Sequence, residues 1–344
     1  MRDLGISNIL PKEVEQTIFR NHGENALGLI GCRTSSFGYP ICEYDVLIVK
    51  EVEEPTTRIV IEDHFVDLVI TSIKSMENLQ NNRLTLSLDK MKILKDPNWT
   101  LTSAKESVRS KEVEKFRNIF VHNKISQVLA KLGRSEDALQ QEKNETSSFW
   151  LLSSGYDCVE AIIGLMNEYP STSHILTQIK SHLKSLEITF DLGILGLNQA
   201  TVSTVARRME ALELIISPLS RIPDEVYHDK VADMPIIKTD EFLNLTRIRQ
   251  RYLLKSHRIL DAYAYLGVEV IKALEYLFLV KCKAQGTSIS HVDILEETIR
   301  SGPSTLRVKG DIGKMLDLQN DEKIIYSKMK TLKSAVKDLI SLVS

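Results

Sequence analysis

The stretch ALGLIGCRTSSFGYPICEYDVLIV, Ala26 to Val49, decides how this chain is read. An apolar run, Leu27-Gly28-Leu29-Ile30, ends at Gly31-Cys32. After ten intervening residues, Glu43-Tyr44-Asp45-Val46 leads into a second apolar run that ends at Val49. Both runs have the length and residue types of strands. If Ile41–Val49 is one strand, Glu43 and Asp45 project from one face while Tyr44 and Val46 project from the other. Two like charges side by side repel unless something positive lies between them, and a bound divalent metal is the usual answer.

On the N-terminal side, PKEVEQTIFRNH is expected to form a helix with Pro11 at its first position, stopped by Asn21-His22-Gly23. On the C-terminal side, Glu53 to Thr57 reads as a hairpin turn. RIVIEDHFVDLVIT (Arg58–Thr71) then returns as a β-rich run with Asp67 between Val66 and Leu68. Leu84–Leu94 fits a strand or a short helix, and Asp96-Pro97-Asn98 is a turn. Beyond Thr102 the apolar spacing is helical, as in Phe149, Leu152, Tyr156, Val159, Ile163 and Met166. Gly133-Arg134 is expected to separate two helices, with Ser135 capping the second. Tyr169-Pro170-Ser171 marks another break, Pro218, Pro223 and Pro235 bracket a loop-rich region, and Gly302-Pro303 marks a turn. The expected architecture is α+β. Residues 1–102 form a small α/β domain with a mixed or antiparallel sheet, and residues 103–344 form an all-α bundle, subdivided near 220–240.

Composition narrows the function classes. With 344 residues, 43% hydrophobic and 26% charged, the chain fits a soluble protein of about two domains. A net charge of -2 excludes polyanion binding by overall charge, so a nucleic-acid surface would have to be a local patch. The opening MRDLGISNIL has no signal-peptide pattern. The most apolar long window, Ile259–Val280, contains Asp261, Glu269, Lys272 and Glu275, which favours a buried helix over a membrane span. Cys32, Cys42, Cys158 and Cys282 form no CxxC, as expected of thiols in a reducing cytoplasm. No membrane partner is expected, and homo-oligomerisation is left open.

These residues resemble the nucleotidyltransferase superfamily of DNA polymerase β type. Its mark is an apolar residue before Gly-Gly or Gly-Ser, a short spacer, then acid–apolar–acid–apolar, with a third acid on a later strand. Here Ile30-Gly31-Cys32, Glu43-Tyr44-Asp45-Val46 and Val66-Asp67-Leu68 match it, and Lys92–Pro97 is similar to the strand and turn that close such domains. The resemblance covers about residues 10–100. It implies a polymerase β-like fold that transfers a nucleoside monophosphate from a nucleoside triphosphate, ATP first among them, to an acceptor hydroxyl. It implies two Mg²⁺ ions held by Glu43, Asp45 and Asp67, with Asp67 on the ion that activates the acceptor and acting also as its base. It places the nucleotide on the turn Gly31, Cys32, Arg33, Thr34, Ser35 and Ser36. The acceptor stays open among an RNA end, a protein hydroxyl and a small-molecule alcohol.

Cys32 departs from the family's Ser, and a thiol is the weaker donor. Thr34, Ser35 or Ser36 can cover the loss. The alternative is a catalytically lapsed nucleotide-binding or assembly protein on the same fold. A minor alternative is a helical-domain ribonuclease using Arg117 and His122, on an Arg-x4-His spacing. The three acids can also be read as a solvated sheet face. Arg247, Arg249, Arg251, Lys255, His257 and Arg258 suggest either a phosphate-binding stripe or a solvated helix face. Tyr252, Tyr263 and Tyr265 are expected in the core. His174, after Pro170–Ser173, resembles a connection in some helical substrate-binding domains and fits a cap equally well.

Overall fold

The computed structural model of the protein describes residues 10–79, 84–109, 113–183, 186, 188–222, 234–237, 239–285, 290–301 and 311–343. Pro223 and Gly302-Pro303 lie outside them. The fold is α+β, with a five-stranded mixed sheet and many helices, and it divides into two compact units. The first comprises Met1–Ile119, Asn167–Ser171 and Val231–Leu245, and the second Phe120–Met166, Thr172–Lys230 and Thr246–Ser344.

The first unit runs α1 (Lys12–His22), β1 (Ala26–Ile30), β2 (Tyr44–Lys50), β3 (Thr57–Ile61), β4 (His64–Ser72), α2 (Ile73–Glu77), α3 (Thr85–Leu88), β5 (Lys92–Lys95) and α4 (Thr100–Arg109). Pro11 is the N-cap of α1 rather than its first helical residue, which is Lys12, and its carbonyl accepts from the Glu15 N–H at 2.9 Å. The sheet order is β3-β4-β2-β1-β5. Alternation along β2 sends Leu47 and Val49 to a core shared with Leu88, Leu101 and Ala104. Val46 and Ile48 go to the opposite core with Val14 and Ile18 of α1. Asp96 caps α4, its carboxylate accepting from the backbone N–H of Leu101 (3.2 Å) and Thr102 (2.8 Å).

Two expectations about the strands are corrected. Glu53–Thr57 is not a hairpin turn, because β2 and β4 pair in parallel and β3 lies at the sheet edge. The hairpin is inside the run read as continuous: β3 and β4 pair antiparallel, with Ile61 opposite His64 and only Glu62-Asp63 between them. Glu62 takes φ 55°, the left-handed conformation such a turn needs. Strand β2 also begins at Tyr44, so Glu43 sits on the extended approach to it.

The remaining described elements are helices: α5 (Val113–Gln140), α6 (Asn144–Leu165), α7 (Ile175–His182), α8 (Val202–Leu219), α9 (Met234–Ile237), α10 (Asp240–Lys255), α11 (Ile259–Gln285), α12 (His291–Ser301), α13 (Ile312–Met315) and α14 (Glu322–Val343). Within the second unit, α11 packs on α6, α7 and α8, and α6 packs on α14. Gly133 does not separate two helices, because α5 runs through it. Ser135 is not a cap. Its buried hydroxyl donates to the Ser147 carbonyl at 2.8 Å and ties α5 to α6. Pro218 lies inside the last turn of α8 rather than in a loop. Lys131 of α5 joins Asp157 of α6 (2.7 Å) and Glu275 of α11 (2.8 Å) in a half-buried ionic network. Among the described residues, no helix is long and apolar enough to cross a membrane.

Candidate functional site

The sheet register builds a row of charge across three strands. Asp45 on β2 is opposite Asp67 on β4, and Asp67 is opposite Arg58 on β3. Directly paired residues on neighbouring strands share a face. Asp45 shares its face with Leu47 and Val49, and Asp67 shares its face with Val69, the side on which α4 packs. Glu43, two residues ahead of Asp45, joins the same face. Each of Glu43, Asp45 and Asp67 offers a carboxylate oxygen, and these atoms lie within 4.8 Å of one another. The reading of a solvated face does not hold for Asp67, which is 6% exposed.

Arg58 is the member of this constellation that the sequence did not single out. Its Nε and Nη2 donate to the two carboxylate oxygens of Asp67 at 2.6 and 2.7 Å. Nη2 also lies 4.0 Å from Glu43 Oε1. Three carboxylates and one guanidinium leave two net negative charges in a desolvated place. Asp45 feels this most. Burial raises its pKa well above the ordinary value, Asp67 raises it further, and Arg58 only partly opposes them.

The turn before β2 is shaped around the same acid. Gly31 adopts φ 76°, and a Cβ there would lie 2.0 Å from Asp45 Oδ2. Only glycine allows both the backbone conformation and the approach of the carboxylate. Cys32–Thr34 then form a single 3₁₀ turn. The Thr34 and Ser35 hydroxyls donate back to the Gly31 and Cys32 carbonyls at 2.8 and 2.7 Å. Arg33 spans the loop, with Nη2 donating to the Pro40 carbonyl at 2.8 Å and Nε to the Cys42 carbonyl at 3.0 Å. Its guanidinium stacks over the Tyr44 ring, 4.2 Å from the centroid. Arg33, Thr34 and Ser35 therefore hold the turn together, while Ser36 is exposed. Cys32 is buried at 5% exposure, its sulfur within 4.8 Å of the Cys42 sulfur.

Other candidates fare differently. Arg117 and His122 are five positions apart on α5, which turns them about 140° apart around the helix axis. Arg117 donates to Asn118 at 3.1 Å, and His122 is exposed. The basic residues from 247 to 258 do not form one stripe. Arg247 pairs with Glu213 at 2.9 Å, Arg258 with Asp261 at 3.2 Å, and Arg249 is buried beside the Tyr265 hydroxyl at 3.4 Å. Arg251, Lys255 and His257 remain exposed. Tyr263 and Tyr265 are core residues, and His174 is buried at the cap position of α7.

No family model matches this chain, and no curated protein matches it. Among solved structures it is similar to a nucleotidyltransferase-like protein from Exiguobacterium sibiricum 255-15, at 13% identity, with 88% of each chain covered and a TM-score of 0.33. A likeness of that size decides neither fold nor activity.

Proposed function

We propose that the protein is a Mg²⁺-dependent nucleotidyltransferase on a polymerase β-like fold, transferring a nucleoside monophosphate from a nucleoside triphosphate to an acceptor hydroxyl. The observation that carries this reading is the convergence of Glu43, Asp45 and Asp67 on one face beside the Gly31 turn.

The donor set fits the metal. All the donors are hard carboxylate oxygens, the kind Mg²⁺ takes. An ionised carboxylate has about four lone-pair sites, and Arg58 engages each Asp67 oxygen once, so both oxygens keep a site for a cation. The two net negative charges balance one divalent ion, and the charge of a triphosphate accommodates the second. Bound divalent ions supply neutralisation of the transferring phosphoryl oxygens and acidify a coordinated acceptor hydroxyl. The chain's own residues do the rest. Glu43 and Asp45 would hold the two ions, and Asp67 would hold the one that activates the acceptor. Arg58 fixes the plane of Asp67, which faces the acceptor hydroxyl and takes its proton. Gly31 leaves room for the Asp45 carboxylate and for the close approach of a phosphate.

Incubation with an α-labelled triphosphate and Mg²⁺, against pools of RNA, protein and small alcohols, is expected to transfer label. Asp67→Asn is expected to lower the rate by at least two orders of magnitude, about 3 kcal/mol in the barrier. Two observations favour a second reading, a nucleotide-binding module without turnover: the buried thiol at Cys32, and the hold of Arg58 on both oxygens of the proposed base. Label transfer by the wild type excludes that reading. Triphosphate binding with no transfer to any pool supports it.

A further inference from the structure

Arg58 reaches Asp67 from the neighbouring strand. The β3–β4 register places the two residues opposite each other. The guanidinium meets both carboxylate oxygens, with Nε donating to Oδ1 at 2.6 Å and Nη2 to Oδ2 at 2.7 Å. A side-on contact of two parallel bonds between ions is the strong form of the hydrogen bond. It is also sheltered here, since the two side chains are nearly buried. Nη2 lies 4.0 Å from Glu43 Oε1, so the same group faces two of the three acids. An arginine stays charged in any protein environment.

This fixed positive charge lies among the oxygens that would hold metal, which are within 4.8 Å of one another. Each Asp67 oxygen keeps a lone-pair site, so an ion can still bind there. Charge decides when it does. Three carboxylates and one guanidinium leave two net negative charges, which one divalent ion neutralises. A second ion would carry the site to a net positive charge, in a place with little water to screen it. The site's other arginine, Arg33, is turned to the loop carbonyls of Pro40 and Cys42. The phosphates of a nucleoside triphosphate restore the balance and admit the second ion.

On the nucleotidyltransferase reading, we propose that Arg58 restricts the nucleotide-free site to one divalent ion, so that the ion on the acceptor side enters only with the triphosphate. Arg58 is a positioning residue that acts through Asp67. Without its charge the three carboxylates keep one net negative charge after the first ion, which is enough to attract the second. The consequence is an order of addition, donor before acceptor. The acceptor hydroxyl meets its activating ion only after the triphosphate is bound.

The test counts bound Mn²⁺, which takes the same oxygen donors, from the electron paramagnetic resonance signal of the free ion. The full chain is titrated as wild type, Arg58→Met and Arg58→Lys. Each is measured alone and with an ATP analogue bridged by methylene between its α and β phosphorus atoms, with the Mn²⁺ held by the analogue in solution subtracted. The wild type is expected to bind one ion alone and two with the analogue. Arg58→Met is expected to bind two in either case, the second at least about tenfold more tightly than in the nucleotide-free wild type. Arg58→Lys, which keeps the charge, is expected to follow the wild type. The two wild-type titrations stand even if Arg58→Met does not fold. Two ions on the nucleotide-free wild type, one with the analogue present, or one on folded Arg58→Met alone overturns the proposal and leaves the metal-dependent reading in place. No ion on the wild type, with or without the analogue, overturns that reading as well.

Discussion

Asp45 and Asp67 face each other across β2 and β4, and Arg58 is hydrogen-bonded to Asp67 through both of its oxygens. The asymmetry leaves Asp45 with its pKa raised above 3.8, first by burial and then by Asp67. The folded protein therefore keeps this proton to higher pH than the unfolded chain does. The stabilisation is complete below the ordinary aspartate range and is lost as pH rises through the folded pKa. In metal-free protein the urea midpoint is expected to fall across that window, and in Asp45→Asn this component disappears. Identical pH profiles for the two proteins contradict the assignment. On the proposed reading a cation displaces the same proton, so Mg²⁺ affinity is expected to rise with pH, with release of a proton on binding. Arg58 carries a second prediction. Its side chain is 6% exposed and that of Asp67 8%, so Arg58→Met leaves a buried carboxylate without its cation. The expected loss is about 3 kcal/mol in urea unfolding at neutral pH. A loss below about 0.5 kcal/mol would class the pair with exposed salt bridges.

At the scale of elements, β1 ends where the apolar run ends, because a run buried on both faces and closed by glycine has one simple reading. The β3–β4 hairpin was illegible for an equally physical reason. Its turn is Glu62-Asp63, with none of the glycine or asparagine that marks a two-residue turn, and tertiary pairing forces Glu62 to positive φ. With the turn hidden, Arg58 and Asp67 read as nine positions apart on one strand, and their cross-strand contact could not be seen. The acids themselves were legible because each sits in an apolar context that leaves a charge unexplained. Gly133 was misread in the opposite sense, as a break where packing of α5 carries the helix through. A Cβ at that position meets nothing within 4 Å. Gly133→Ala is therefore expected to stabilise the protein by about 0.5–1 kcal/mol through loss of unfolded-state freedom. A thermal melt checks it, and a lowered Tm would show that the helix needs glycine there.

On the scale of the whole molecule, the two units do different physical work. The first places like charges together on a sheet face and sets one arginine against them. The second joins buried charges of opposite sign in networks such as Lys131 with Asp157 and Glu275. An unbalanced negative cluster is costly for stability, which is why the acids, rather than the helical networks, carry the functional reading. The most direct test of that reading is calorimetric titration of the metal-free protein with a Mg²⁺–nucleoside triphosphate, ATP first, for wild type, Asp45→Asn and Asp67→Asn. The account predicts saturable binding by the wild type, weakened at least tenfold in each variant, about 1.4 kcal/mol. Failure of the folded wild type to bind, or equal affinity in all three proteins, would contradict it.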